Sequence, residues 1–226
     1  MSGPGQERLS LVPKAAVELI AERAALILAS SPGRIVVGLA GGPGVGKSTT
    51  AADVVAALNA RTPGLAAYVP MDGFHMKHQK LEALGTAREK GMPHTFEGAA
   101  FAAFLAKLKV AESAVSGPGY SRQIEDVVED AFTVEQGVRV LVTEGNYLLL
   151  PDPPWDAVKP LLDFSVFIHV DREKVFVRLL KRHAEAGLFT EERNREHIGR
   201  VDMPNYDLVE KTAARADLRI DIVSDG

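Results

Sequence analysis

The sequence predicts an α/β fold with a mostly parallel sheet, because apolar β-branched segments alternate with segments of helical periodicity. The strand-like segments lie near residues 34–40, 66–70, 138–143, 164–170 and 218–222. The helical patterns lie near residues 13–29, 50–58, 97–110, 172–183 and 204–214. A glycine-rich stretch joins the first of these strands directly to a helix. No repeat, low-complexity tract or linker breaks the pattern, so we expect one domain over residues 1–226.

Two polar regions between these segments are predicted to be irregular. Residues 77–96 are polar and contain glycine, which favours a loop with one short helix. Residues 113–120 include Gly117, Pro118 and Gly119, which predict a second loop. Asp171 precedes a helical pattern and is expected to occupy the N-cap.

Composition excludes several classes of function. The 226 residues are 46% hydrophobic and 25% charged, which is typical of a globular protein. A net charge of −4 argues against nucleic-acid binding through bulk electrostatics. Because the chain has no cysteine, a disulfide framework, a thiolate metal site and a cysteine nucleophile are all excluded.

The sequence also lacks membrane and export signals. No apolar run approaches the length that spans a bilayer. Residues 1–8 lack the basic-then-apolar layout of a signal peptide. We therefore expect a cytoplasmic protein with no membrane partner.

The glycine-rich stretch fits the phosphate-loop pattern G-x-x-x-x-G-K-[ST]. Its glycines let successive backbone N–H groups point at phosphate oxygens, and the following helix N-terminus adds positive potential. Lys47 supplies a charge for the outer phosphates, and Ser48 offers a hydroxyl to the magnesium ion of the nucleotide. We expect the loop to bind a nucleoside triphosphate through Gly41, Gly42, Pro43, Gly44, Val45, Gly46, Lys47, Ser48 and Thr49.

Two carboxylates follow strand-like segments, where open α/β sheets bind ligands. Asp72 follows the second strand, and from there a carboxylate can orient an acceptor hydroxyl and accept its proton. Glu144 follows the strand at 138–143 and can hold the magnesium shell or a substrate hydroxyl. Turn aspartates and strand-end acids are also common without any catalytic role.

Two arginines four residues apart indicate a lid helix. Arg178 and Arg182 would present their guanidinium groups on one face, where they suit the charge of a transferring phosphoryl group. Gly187 follows and would allow a hinge. A solvated basic face is the alternative interpretation. By contrast, the spacing of His75, His78 and His94 does not favour a metal site.

These segments resemble the phosphoribulokinase/uridine kinase/pantothenate kinase family of phosphate-loop enzymes. The nearest subgroup is that of bacterial proteins named as nucleoside/nucleotide kinase-like or as fructose-transport kinases. The matching blocks keep the family order between residue 34 and about residue 205: Gly41–Thr49, Met71–His75, Lys90–Glu97, Tyr120–Arg122, Glu144–Tyr147 and Arg178–His183.

The resemblance implies a P-loop NTPase three-layer sandwich, with a mostly parallel five-stranded sheet and a helical lid near residues 178–200. It implies transfer of the ATP γ-phosphate to an alcohol of a small metabolite, with Mg²⁺. It also implies that Asp72 is the general base, that Glu144 lies near magnesium, and that the two arginines belong to the lid. The acceptor contacts that it implies are His75, Lys90, Tyr120, Arg122 and Asn146. Homo-oligomers are common in the family, so one is possible here.

The acceptor stays open. The block at residues 92–97 is closer to pantothenate kinases than to uridine kinases, yet Glu97 stands where those have aspartate. A sugar, a pantothenate-like compound and a nucleoside are all candidates.

Two other classes of function share a phosphate loop. A GTP- or ATP-driven switch or chaperone is one, although the chain lacks an Asn-Lys-x-Asp motif for guanine and a convincing Asp-x-x-Gly switch. A silent nucleotide-binding regulator is the other. The presence of Lys47, Ser48 and Asp72 together argues against it.

Overall fold

The structure is a computed structural model that describes residues 6–121, 123–187 and 190–224. Its centre is a parallel six-stranded sheet. The strands of this sheet are β1 (Glu7–Leu11), β2 (Ile35–Ala40), β3 (Ala66–Pro70), β6 (Val140–Gly145), β7 (Phe164–His169) and β8 (Leu218–Ile222). They lie side by side in the order β1-β8-β7-β2-β6-β3.

Seven α-helices occur in the described part of the chain. They are α1 (Pro13–Ala29), α2 (Lys47–Arg61), α3 (His78–Ala83), α4 (Gly98–Val110), α5 (Arg172–Ala186), α6 (Glu191–His197) and α7 (Met203–Glu210). A π-helical turn, Ile198–Asp202, joins α6 to α7. None of the helices in the described ranges is long and apolar enough to cross a bilayer.

The helices cover both faces of the sheet because successive residues of each buried strand point to opposite sides. Ile35 and Val37 face a core that includes α1, α2 and α5. Val36 faces a second core built from α4 and the chain around Trp155. Every residue of β2 and β6 is buried. This is the three-layer arrangement that the alternating pattern predicts.

Strand β1 was not predicted, and the expectation of five strands is therefore wrong by one. This strand pairs in parallel with β8, with Leu9 opposite Ile220. Its residues are mostly exposed, as expected of a sheet edge, so the segment lacks the apolar run that marks a buried strand. Pairing with β8, more than 200 residues away, gives it its conformation.

The loop predicted at residues 113–120 is also wrong. Strand β4 (Val115–Ser121) pairs antiparallel with β5 (Asp126–Val134) as a separate hairpin. The register shifts between Gly117 and Gly119, which accommodates Pro118 at an edge where its missing N–H is tolerated. The two glycines are needed for packing, because a Cβ on Gly117 would lie 2.6 Å from the rings of Phe104 and Phe132.

The helix boundaries agree with the sequence within a few residues, including one short helix in residues 77–96. The last predicted helix is split, since α7 ends at Glu210 and a short 3-10 turn follows at Ala213–Arg215. Asp171 does occupy the N-cap of α5, but its side chain makes no capping hydrogen bond to the described residues.

Candidate functional site at the carboxyl edge of the sheet

The phosphate loop has a conformation that requires its glycines. Gly44 and Gly46 have φ values of 75° and 97°, in the left-handed region that other residues avoid. A Cβ on Gly44 would also lie 3.0 Å from Leu179 Cγ, so the loop packs closely on α5. Helix α2 begins immediately after Gly46, and its N-terminal N–H groups face the loop. The backbone therefore forms a cradle suited to phosphate groups.

Lys47 connects this cradle to the end of β6. Its side chain is buried, and Nζ donates hydrogen bonds to Gly42 O at 2.8 Å and to Asn146 Oδ1 at 2.8 Å. Burial lowers the pKa of Lys47, although the negative charges of Glu144 and Asp72 oppose that shift. The ammonium thus lies between the loop and two carboxylates.

Glu144 and Ser48 lie together on the other side of the loop. Ser48 Oγ donates to Glu144 Oε1 at 3.1 Å, and the Tyr68 hydroxyl donates to the same oxygen at 2.7 Å. Glu144 is only 4% exposed. Burial and the nearby charge of Asp72 raise the pKa of Glu144, and the positive charge of Lys47 opposes them. A hydroxyl and a carboxylate therefore meet where a phosphate-bound cation is expected.

Sequence reasoning missed Tyr68, which lies within β3, two residues before the strand ends. Burial and then the charge of Glu144 raise the pKa of its hydroxyl, which stays a hydrogen-bond donor. A polar-tipped aromatic residue in a buried strand was the available signal. Its partner was not evident, because only the pairing of β3 with β6 brings Tyr68 near Glu144.

Asp72 lies in a 3-10 turn, Met71–Phe74, directly after β3. It is half-buried and close enough to Lys47 and Glu144 to shift the pKa values of both. Gly73 allows the hairpin to approach, since a Cβ there would lie 1.9 Å from Pro118 O. The hairpin thus packs directly against the turn that carries Asp72.

Three of the predicted acceptor residues form one group beside this turn. The His75 ring lies 4.7 Å from the Tyr120 ring and 3.8 Å from the Phe96 ring, between centroids. Lys90 Nζ lies 5.2 Å from the Tyr120 ring centroid and donates to Glu125 O. Burial lowers the pKa of Lys90. Arg122, another predicted acceptor contact, lies outside the described residues.

Asn146 and Tyr147 link this acceptor group to the phosphate loop. Asn146 accepts the bond from Lys47 described above, and the buried Tyr147 hydroxyl donates to Gly91 O. Asn205 donates to the same carbonyl at 2.9 Å. Because Gly91 follows Lys90, these bonds fix the segment that carries the lysine. The structural role of Tyr147 was not predicted, although it stands in one of the family blocks.

The two arginines of α5 differ in their surroundings. Arg182 is half-buried, and its charge contributes to the lowered pKa of Lys47. Arg178 is exposed, one turn earlier on the same helix. The structure therefore brings Arg182 towards the phosphate loop and leaves Arg178 at the solvent surface.

The donor set of this edge fits a nucleotide with a hard cation. Ser48, Glu144 and Asp72 offer only oxygen ligands, which Mg²⁺ prefers. The glycine cradle and Lys47 offer backbone N–H groups and one ammonium, which suit phosphate oxygens. Fold and cradle together define a phosphate-loop, nucleotide-binding protein.

Comparison with known proteins narrows this class. The model of the Phosphoribulokinase / Uridine kinase family matches residues 36–226, so the chain belongs to that family. "Putative uridine kinase C227.14" from Schizosaccharomyces pombe is 35% identical over 192 residues, which are 82% of this chain and 82% of the relative. "Uncharacterized protein YggC" from Escherichia coli K12 is 35% identical over 205 residues, which are 90% of this chain and 84% of the relative.

A solved structure agrees with these relatives. It is described as a "putative fructose transport system kinase" from Silicibacter sp. TM1040, with 32% identity and a TM-score of 0.81 over 90% of this chain and 98% of that one. The protein is therefore a kinase, a phosphotransferase with an alcohol group as acceptor, of a family that phosphorylates small metabolites. The family predicted from the sequence is confirmed.

Proposed function

We propose that the protein transfers the γ-phosphate of ATP, with Mg²⁺, to a hydroxyl of a small metabolite, and that residues 1–226 act as one domain with a lid near residues 178–200. The observation that carries the proposal is the meeting of Asp72, Lys47 and Glu144 beside the phosphate cradle. Phosphoryl transfer mainly requires alignment and charge neutralisation, and these groups offer both.

Each group has a part in the transfer. The loop N–H groups and Lys47 hold the phosphates, while Ser48 and Glu144 would hold the magnesium ion, which would neutralise phosphate charge. Asp72 orients the acceptor hydroxyl and takes its proton as the new O–P bond forms. The bond from the γ-phosphorus to its bridging oxygen breaks, and ADP leaves. Arg182, with Arg178 after lid closure, stabilises the charge of the transferring group.

The acceptor is held by the group next to Asp72. His75 and Tyr120 offer a ring face and polar atoms, and Lys90 and Asn146 offer further hydrogen bonds. We include Arg122 in this set on the strength of the resemblance. Relatives are named for uridine and for fructose transport, which both concern compounds with several hydroxyl groups. Sugars, nucleosides and pantothenate-like alcohols are therefore the acceptors to test first.

The test is a coupled assay of ADP release with ATP, Mg²⁺ and this panel, comparing the native protein with Asp72→Asn. Loss of a general base lowers kcat by about 10²–10⁴-fold and leaves nucleotide binding intact. Asp53→Asn is the matched control, since Asp53 is exposed on α2. If no compound in the panel raises ADP release, or if Asp72→Asn turns over like the control, the proposal is wrong.

A further inference from the structure

A cluster of metal-ligating side chains lies outside the site described above. His183 from α5, His197 from α6 and Asp202 from the π-helical turn offer one ligand atom each, all within 4.8 Å of one another. His183 Nε2 and Asp202 Oδ2 are 2.9 Å apart. The His183 and His197 ring centroids are 5.5 Å apart. Helix α5 and the continuous α6–π-helical segment thus meet at one point.

The cluster is largely buried, and this burial distinguishes it from an ion pair on the protein surface. Asp202 is 8% exposed, and both histidines are half-buried. A neutral imidazole and an ionised carboxylate are the forms in which these side chains bind metals. Outside the cluster, Arg200 and Glu125 are further charged neighbours of His197. Arg200 itself pairs with Glu196 at 3.0 Å.

The ligand types indicate which ion would bind. Imidazole nitrogens suit zinc, copper, nickel and cobalt, whereas Mg²⁺ and Ca²⁺ prefer oxygen. Two histidines and a carboxylate also form the three-ligand set of zinc sites that keep one open position. Bonds of about 2.1 Å in a tetrahedron place ligand atoms ~3.4 Å apart. The three ligand atoms lie within 4.8 Å of one another. Side-chain movements of about 1 Å would therefore bring them to the tetrahedral distance.

We propose that His183, His197 and Asp202 form a binding site for a divalent transition-metal ion of the zinc type. The ion would join the C-terminal turn of α5 to α6 and to the π-helical turn. Because His183 directly follows Arg182, the bound ion would also fix the end of the helix that carries the lid arginines. The cluster shares no residue with the oxygen-rich carboxyl edge, where we propose Mg²⁺, so different substitutions test the two.

The competing interpretation is that His183 and Asp202 form a hydrogen-bonded pair with His197 packed against it and no ion. Such a pair stabilises the helices but has no affinity for metals beyond that of an exposed histidine. The two interpretations therefore predict different metal stoichiometries, different affinities and different effects of substitutions on metal binding.

The test uses untagged full-length protein in excess Mg²⁺, which occupies the oxygen-rich edge. Zn²⁺ is titrated by calorimetry, and Co²⁺ is followed by its visible absorption. We expect one ion per chain and a tetrahedral Co²⁺ spectrum. In each of His183→Gln, His197→Gln and Asp202→Asn, affinity should fall by more than the ~10–100-fold that loss of an outer-shell partner costs. His94→Gln is the matched control, since His94 is an exposed histidine paired with Glu89 at 2.6 Å.

His197→Gln is the most informative variant, because it leaves the bond between His183 and Asp202 in place. Its fold is checked by near-UV circular dichroism and by the thermal shift on addition of ATP. If the native protein binds no Zn²⁺ stoichiometrically, or if folded His197→Gln binds as tightly as His94→Gln, the inference is overturned.

Discussion

The carboxyl edge of the central sheet, where the strands end, and the amino edge, where they begin, both contain buried charged side chains. The partners of those charges differ. At the carboxyl edge, burial moves the pKa of Lys47 down and the pKa of Glu144 up, so burial disfavours both charges. At the amino edge, Arg34 is also buried, yet its guanidinium donates to four backbone carbonyls at 2.7–3.0 Å: those of Val138, Leu108, Glu135 and Gln136.

Aspartates at the amino edge also bond to the backbone, although they are more exposed than Arg34. Asp163 accepts a hydrogen bond from Val36 N at 2.7 Å, and Asp217 accepts one from Ser165 N at 2.8 Å. Each completes backbone hydrogen bonds at the start of a strand, where the ladder ends. Charges at the amino edge therefore stabilise the fold. Burial disfavours the charges at the carboxyl edge, and we propose that they serve binding and catalysis, a division that substitutions can test.

The largest expected effect is the loss of activity in Lys47→Met. Removing a preorganised donor to phosphate oxygens lowers kcat/KM by about 10²–10³-fold. Thermal unfolding of the ligand-free protein should change less than in Arg34→Met, because methionine avoids burying an ammonium. Steady-state kinetics and calorimetry measure the two quantities. A variant that keeps its activity would contradict the assignment of Lys47 to the nucleotide.

Arg34→Met should have the opposite effect. It leaves the buried carbonyls of Val138 and Leu108 without their donor, which lowers the free energy of unfolding by about 3 kcal/mol. The kcat of the folded fraction should not change. Urea denaturation and kinetics at low temperature test this, with Arg61→Met at an exposed position as the control. A drop in kcat without a drop in stability would show that the two edges are not separable.

Gly73→Ala tests how the carboxyl edge itself is divided. The new Cβ would lie 1.9 Å from Pro118 O, so the hairpin or the Asp72 turn must shift, at a cost of about 1–3 kcal/mol. We expect the KM for the acceptor to rise more than the Kd for the nucleotide. Gly33→Ala is the control, because no atom lies within 4 Å of the position that its new methyl group would occupy. Equal effects on both ligands would argue against a separate acceptor side.

The smallest expected effect is a pH-dependent loss of stability in Asp217→Asn. Burial alone would raise the pKa of Asp217, but hydrogen bonds from Ser165 and Lys159 lower it overall. A lowered folded-state pKa stabilises the protein above the unfolded value of about 4, and this contribution is lost as the pH falls further. The variant should be less stable by about 1 kcal/mol at pH 7, since the carboxylate is partly exposed.

Urea denaturation of the native protein and of Asp217→Asn measures this difference. The measurements cover about pH 3–7, a range that includes the carboxyl pKa. The two curves should converge towards the acid end. A difference that stays constant with pH would mean that the charge of Asp217 contributes nothing at this edge.

The nucleotide side of the site was predictable because it is local. Residues 41–49 lie in one turn whose glycines, lysine and serine act together, so the motif carries its own geometry. The buried strands were predictable for a similar reason, since their apolar runs are continuous. The proposed acceptor side joins residues 72–75, 90 and 120, and the hairpin among them was misread as a loop. Local pattern does not encode contacts between such distant segments.

The sequence by itself determined the layered parallel sheet, the phosphate loop and the family, because each depends on short-range periodicity or on one compact motif. The tertiary structure decided that β1 completes the sheet, that Tyr68 bonds Glu144, and that His183, His197 and Asp202 converge. The first two depend on pairing between segments far apart in the chain, and the third depends on how α5 packs against the α6–π-helical segment. Their free energy exists only once the chain has folded.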